Sequence, residues 1–337
     1  MAPRTLRLRA PLVAVALLAL AATACATARP TAPASDSPDP VAASGLASAS
    51  EAAPSGYPVT VTDARGTDVT IPAAPDRIVS LAPSNTEIVC ALDACDRLVG
   101  VTDFDDYPPE VADVPDVVVS AQVDVERVVD ARPDLVLAAG NELTPSSVIA
   151  QLEDLGLTVV VLYPESLDEV EGDIGLIGRI LDEADAAASL VDGMRQRVAE
   201  LTAAVDGLDR PRTLYEVYYA EGVTYTAGAG SFLASLIELA GGEPVTGDAQ
   251  GTLPAEQLVT SDPELVLLGT ASYDPSLATP AAALEAVASR PGWSTLSAVR
   301  DGAVLPYLDD IVTTRPGPRI VDGLEALARA IHPEAFE

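Results

Sequence analysis

The sequence predicts an α/β protein of two doubly wound lobes joined by one long helix. Three observations predict it: a segment that occurs twice, buried strand runs that alternate with helical segments, and a long proline-free helical stretch between the halves. Residues 126–140 read ERVVDARPDLVLAAG and residues 256–270 read EQLVTSDPELVLLGT. At a constant offset of 130 residues the pairs Glu126/Glu256, Val129/Val259, Pro133/Pro263, Leu135/Leu265, Val136/Val266 and Leu137/Leu267 are identical, and Asp134/Glu264 is a like-charge match. Each copy opens a short helical segment with an acid, stops it at a proline, and continues into an apolar run suited to a strand buried on both faces. That offset is too long for a solenoid repeat. It suits two similar lobes, and the cleft between two lobes is where a small ligand usually binds.

The elements follow in order. Residues 59–71 (VTVTDARGTDVTI) alternate as a short hairpin, with Arg65 and Gly66 at the turn. Residues 77–81 form the first buried strand. Ser84-Asn85-Thr86-Glu87 fits a capping box that opens a helix ending near Leu92. Residues 98–102 are the next strand, residues 135–139 a third and residues 158–162 a fourth, with helical segments between them. These make a first lobe over 57–165. Residues 166–209 are the connection, helices that include the long inter-lobe one: 166–206 read as helical, and 183–205 alone would span ~35 Å. The second lobe, 210–337, has strands at 213–218, 265–268 and 303–305 and helices at 231–240 and 319–331. The last helix follows Arg315-Pro316-Gly317-Pro318, where proline sets the entry turn.

Residues 1–24 read as an export signal: Arg4, Arg7 and Arg9, then an apolar run too short to span a bilayer comfortably. Ala22-Thr23-Ala24-Cys25 resembles a bacterial lipobox, whose cysteine is lipidated after cleavage, although Ala22 stands where Leu is usual. The alternative is an ordinary secreted protein. Residues 25–56 are then a lipidated Cys25 and a tether rich in Ala, Pro, Ser and Thr, unable to bury enough apolar surface to order itself.

All 19 basic residues are Arg, and against 51 acids the net charge is −32, which makes nucleic acid an improbable partner. The acidity by itself is an ordinary solvated surface. His332 is the lone histidine, expected to be exposed near the C-terminus, so a His-rich metal site is excluded. No nucleophile motif or nucleotide signature appears, and Gly228-Ala229-Gly230 alone is a weak phosphate signal. Cys90 and Cys95 can bridge only if their helix ends near Leu92; otherwise they are two small buried residues.

With these residues laid out, the chain resembles the class III solute-binding proteins of ABC importers, the family that carries cobalamin, ferric siderophores and haem. The segments RIVSLAPSNTEIV, RLVGVTDFDDYPPEV, ERVVDARPDLVLA, GGEPV and RPGPRIVDGLE are similar to its patterns, in order, over about residues 77–331. DYPP and the context of Glu126 look most like the cobalamin-binding branch. That branch lines its cleft with tryptophans, whereas this chain has only Trp293, outside those motifs. The resemblance implies a monomeric, extracytoplasmic, lipid-anchored protein without enzymatic activity or cofactor. It would deliver a corrinoid or ferric chelate to a permease and its ATPase. It also implies that Glu126 and Glu256 dock on arginines of the permease. The alternative is an exported α/β enzyme with an unrecognised cleft site.

Candidate cleft residues are those at strand ends and helix starts. Ser84, Asn85 and Thr86 open a helix after a strand. Phe104 and Tyr107 could stack on a planar ligand. Asn141, with Glu142, follows the strand at 135–139. Tyr218 and Tyr225 flank a strand end of the second lobe, and strand alternation places Tyr218 and Tyr219 on opposite faces. Arg315 is the cation best placed for an anionic chelate, unless it and Asp309 and Asp310 form a charge pair at a helix start.

Overall fold

Apolar runs without polar alternation become the inner strands of two parallel sheets in the computed structural model, which describes residues 56–141 and 144–337. The signal segment, Cys25, most of the tether, and Glu142 lie outside the described residues. The first half begins with an antiparallel hairpin, β1 (Val59–Thr62) and β2 (Asp68–Ile71). It continues through β3 (Ile78–Ser80), α1 (Pro83–Ala91), β4 (Leu98–Thr102), β5 (Asp116–Val119), β6 (Gln122–Val123), α2 (Val125–Asp130), β7 (Leu135–Ala138), α3 (Ser146–Asp154) and β8 (Val159–Val161). The sheet order is β6-β5-β4-β3-β7-β8, parallel except for β6. The hairpin turn caps the β8 edge: Ala64 N–H donates to the Val161 carbonyl at 2.9 Å, and Val161 N–H to Asp63 Oδ2 at 3.3 Å. An edge covered in this way is not open to pairing with another chain.

The connection is α4 (Leu167–Leu181) and the long α5 (Ala184–Val205), close to the long helix expected at 183–205; the two part at Asp182, whose φ is 65°. The left-handed residue lets Glu183 N–H reach the Gly178 carbonyl and reverses the chain. The 22 residues of α5 extend over ~33 Å. Thereafter come β9 (Arg212–Glu216), β10 (Tyr218–Ala220), β11 (Val223–Tyr225), α6 (Phe232–Leu239), β12 (Glu243–Pro244), β13 (Thr252–Leu253), α7 (Ala255–Ser261), β14 (Leu265–Leu268), α8 (Pro280–Ala288), α9 (Ser297–Asp301), β15 (Val304–Pro306), α10 (Asp310–Thr314) and α11 (Ile320–Ile331). β12-β9-β14-β15 form a parallel sheet, and β10-β11-β13 a small antiparallel one. The strand expected at 213–218 therefore breaks at Val217, and Tyr218 starts a different sheet.

The duplicated segment fills equivalent places. β7 lies between β3 and β8, β14 lies between β9 and β15, and every residue of both strands is buried. The like-charge match has a shared duty. Asp134 Oδ2 accepts from Arg77 N–H at 3.1 Å, and Glu264 Oε2 accepts from Arg212 N–H at 3.0 Å. The guanidiniums of Arg77 and Arg212 in turn donate to the last carbonyls of α2 and α7 (Ala131 and Arg132; Ser261 and Asp262). Each lobe thus ties helix end to strand start with one acid and one arginine.

His332 is buried, not exposed: it is 3% accessible, with Nε2 3.1 Å from the Gly241 carbonyl. Pro54–Glu337 is one unit, and its largest apolar cluster joins residues of both sheets, such as Ile78 and Leu267, through α4, α5 and α11.

Two glycines of α4 test that packing. A Cβ on Gly178 would sit 2.4 Å from the Ala187 Cβ of α5, whereas one on Gly175 meets nothing within 4 Å. Gly175→Ala should raise stability by about 0.5–1 kcal/mol through helix propensity. Gly178→Ala should lower it by about 1–3 kcal/mol despite the same propensity gain, because the helices must part. Denaturant unfolding of the two variants reads this opposition in sign.

Candidate functional site

The carboxyl ends of the parallel strands in the first sheet converge on a cavity of 390 Å³. β3 delivers Pro83 and Ser84, β4 delivers Phe104, β7 delivers Ala139 and Asn141, and β8 delivers Leu162, Tyr163 and Pro164. The opposite wall is the turn Thr314-Arg315-Pro316, between α10 and α11 of the second lobe. Strand ends of an open α/β sheet are the usual ligand position, and the volume lies within the ordinary range for small-molecule sites.

The helix at the first wall does not start as the sequence suggests. Ala82 is the N-cap and makes no side-chain cap; Pro83 opens the helix, where its missing N–H costs nothing. Ser84 and Glu87 are therefore released from capping. Ser84 reaches the cavity wall, and Glu87 turns to another task. Asn85 and Thr86 are buried and absent from the wall; Thr86 donates its hydroxyl to Ser80 Oγ at 2.8 Å. Cys90 and Cys95 are joined by a disulfide across the end of α1, with Cα atoms 4.2 Å apart and Leu92 as the C-cap.

The structure brings together Ser84, Phe104, Asn141 and Arg315. It places Tyr107 away from that cavity, with Arg319 stacked over its ring at 4.1 Å. Tyr218 and Tyr225 face each other across β10 and β11 with ring centroids 5.8 Å apart. They share one exposed face, while Tyr219 turns inward against Trp293. Tyr163 and Pro164 were not foreseen, although they follow the foreseen strand at 158–162; the rule that finds Phe104 and Asn141 at strand ends finds them too.

Charge at the site is tightly paired. Glu87 is 3% accessible and lies in α1, yet its partners come from the other lobe. It accepts from Arg319 Nε at 3.0 Å and Nη2 at 2.5 Å, and from Arg315 Nη1 at 3.4 Å. This bond to Glu87 holds the Arg319 pKa above its already high value. Arg315 also donates to Asp106 Oδ1 at 2.5 Å and to the Phe104 carbonyl at 2.9 Å. The expected helix-start charge pair does not form. Asp310 is buried and receives the hydroxyls of Tyr215 at 2.5 Å and Tyr273 at 2.7 Å. Burial and the bond to Asp310 push the Tyr273 phenol up to about 12, so it stays a neutral donor.

Glu126 and Glu256 occupy the first turns of α2 and α7, both exposed and without ion pairs among the described residues. Helices that lead into parallel strands start near the strands' carboxyl ends, the rim that carries the cavity. No group of His, Cys, Asp and Glu able to hold a metal occurs among the described residues.

Comparison with known proteins agrees with this fold. The family described as periplasmic binding protein matches residues 78–310. An uncharacterized ABC transporter substrate-binding lipoprotein of Bacillus subtilis, YvrC, is 34% identical over 83% of this chain and 88% of its own. A cobalamin-binding protein of Halobacterium salinarum is 36% identical over 82% of this chain and 74% of its own. Among solved structures, a possible iron-binding, periplasmic solute-binding protein of Staphylococcus epidermidis superimposes with a TM-score of 0.66 at 27% identity, covering 77% of this chain and 99% of that one.

The Glu87 bridge has a measurable consequence. Glu87→Ala leaves two arginines, only 17% and 22% exposed, without their shared acceptor. Removing one partner of such a buried pair should lower stability by about 3 kcal/mol. An unfolding midpoint equal to wild type would show that the bridge does not hold the lobes.

Proposed function

This chain belongs to the periplasmic binding protein family, and from that premise we propose that it is the extracytoplasmic substrate-binding subunit of an ABC importer. It captures a metal chelate in the cavity at the strand ends and hands it to the permease. It performs no chemistry itself; ATP hydrolysis belongs to the partner ATPase. The single observation that carries the reading is the cavity. Its apolar and aromatic walls come from four strand ends of one lobe, and it is closed by residues 314–316 of the other. Such a wall suits a bulky amphipathic ligand more than a sugar or amino acid, which would need many polar partners. A corrinoid stands ahead of ferric siderophores and haem, supported by the DYPP segment and by the cobalamin-binding relative. The chelate brings its own metal, so no resident cofactor is required. Cys25 serves as the lipid anchor that keeps the protein at the membrane, a reading supported by the lipobox-like sequence and by the relative described as a lipoprotein.

Native mass spectrometry with cobalamin, cobinamide, haem and a panel of ferric siderophores should give one saturable, one-to-one complex without turnover. Binding of none of these, or tight binding of a sugar or amino acid instead, rejects the reading.

Docking rests on the paired glutamates. One acid per lobe gives a two-point contact that fixes orientation on a two-subunit permease. Helix-dipole stabilisation alone would be worth ~0.3–1 kcal/mol at each site. Glu126→Arg with Glu256→Arg should leave ligand affinity and folding nearly unchanged and abolish uptake with the cognate permease. Normal uptake by the double variant would return both residues to plain helix starts.

A further inference from the structure

Arg315 is the one charged residue on the wall of the interlobe cavity, among the described residues. A lone cation on an apolar wall would ordinarily attract a carboxylate-bearing ligand. Here both terminal nitrogens are already engaged. Nη1 donates to Asp106 Oδ1 at 2.5 Å, with Glu87 Oε1 at 3.4 Å, and Nη2 donates to the Phe104 carbonyl at 2.9 Å. Glu87 is the weaker of the two acidic partners, because both of its oxygens are taken more closely by Arg319. Asp106 is thus the residue that neutralises Arg315. Its side chain is 54% exposed, so the pair contributes little to stability. Its effect is on charge: two arginines face two carboxylates, and the wall is left with no net positive charge to offer. The chain around it carries −32. An anionic ligand entering this cavity would have to displace Asp106 or lie beside it, and it would approach against the field of the whole protein.

Resting on the chelate reading above, we propose that the cavity selects by charge. It accepts net-neutral or cationic chelates and rejects carboxylate-bearing ones, and Asp106 is the specificity-determining residue. Aromatic side chains supply the attraction in place of salt links: Phe104 and Tyr163 are both exposed on the cavity wall. A neutral ligand meets their faces and edges without needing a counter-charge.

The test uses pairs of ligands that differ in carboxylate charge. One pair is cyanocobalamin and its monocarboxylate, in which one propionamide is hydrolysed. The other is haem and its dimethyl ester. Affinities are measured by calorimetry for the wild-type chain, Asp106→Asn, and Glu110→Gln, the last being an exposed acid in the same segment that forms no ion pair or hydrogen bond with Arg315. Wild type should favour the uncharged member of a pair that it binds by about 10-fold or more. Asp106→Asn, which frees a guanidinium for the carboxylate, should shrink that preference by about 10-fold, and Glu110→Gln should leave it in place. Equal affinity for both members in wild type overturns the proposal, as does an unmoved preference in Asp106→Asn or an equal loss in Glu110→Gln. Binding without discrimination leaves the chelate reading standing. Binding of neither pair and of no other chelate removes that reading and this proposal together.

Discussion

The buried carboxylate of Glu87 is the constraint on which the rest of this cleft depends. It sits in the first helix of one lobe with almost no access to solvent, and both of its partners are arginines of the other lobe. A buried charge is tolerated only when paired and fully hydrogen-bonded, so the two lobes have to be in register for Glu87 to keep its partners. Arg319, held on Glu87, forms a lid over the Tyr107 ring, and Arg315, held between Glu87 and Asp106, fixes the turn that closes the cavity. The positions of Phe104 and residues 314–316 follow from this one charge cluster.

Much of the fold was legible because a buried strand leaves a compositional trace. The runs at 98–102 and 265–268 appear as strands with those same bounds, since an uninterrupted apolar stretch has few other uses in an α/β chain. The duplication was legible for the same reason, and the structure adds its polar logic: Asp134 and Glu264 match because each ties the start of a neighbouring strand. What escaped was short or tertiary. β5 and β6 form an edge hairpin too brief to establish a period, and its two-residue turn, Ser120-Ala121, places both residues at positive φ without a glycine to announce it.

The site was less legible than the fold. Strand ends and helix starts pointed to Ser84, Phe104, Asn141 and Arg315, which line the cavity, because topology alone decides which rim faces a ligand. Topology does not decide which way a side chain turns within a helix. Thus Asn85 and Thr86 went inward, and Glu87, apparently a cap, became the bridge between lobes. The same limit applies to the lone tryptophan. Trp293 is buried, and the Arg290 guanidinium lies over its ring at 4.7 Å and over that of Tyr219 at 4.0 Å, while Arg290 pairs with the buried Glu216. The indole shields a structural ion pair and is not available to a ligand, so the aromatic recognition surface of this cavity rests on Phe104 and tyrosine rather than on tryptophan.

These restraints also bound how the cleft can move. The largest apolar cluster runs from β3 of one sheet to β14 of the other through α4, α5 and α11. Separating the lobes as rigid bodies would expose part of that core, and each buried aliphatic side chain returned to water costs about 1.5–3 kcal/mol. It would also strand Glu87. Opening therefore concentrates where no core must be exposed, at the strand-end loop carrying Phe104 and the 314–316 turn, whose closer links are the exposed Asp106 carboxylate and a backbone carbonyl, with Glu87 farther at 3.4 Å. A ligand that enters by rearranging those contacts while the core stays closed meets a site organised before it arrives. The ordering cost of binding is then small, and recognition falls to the shape and charge of the wall.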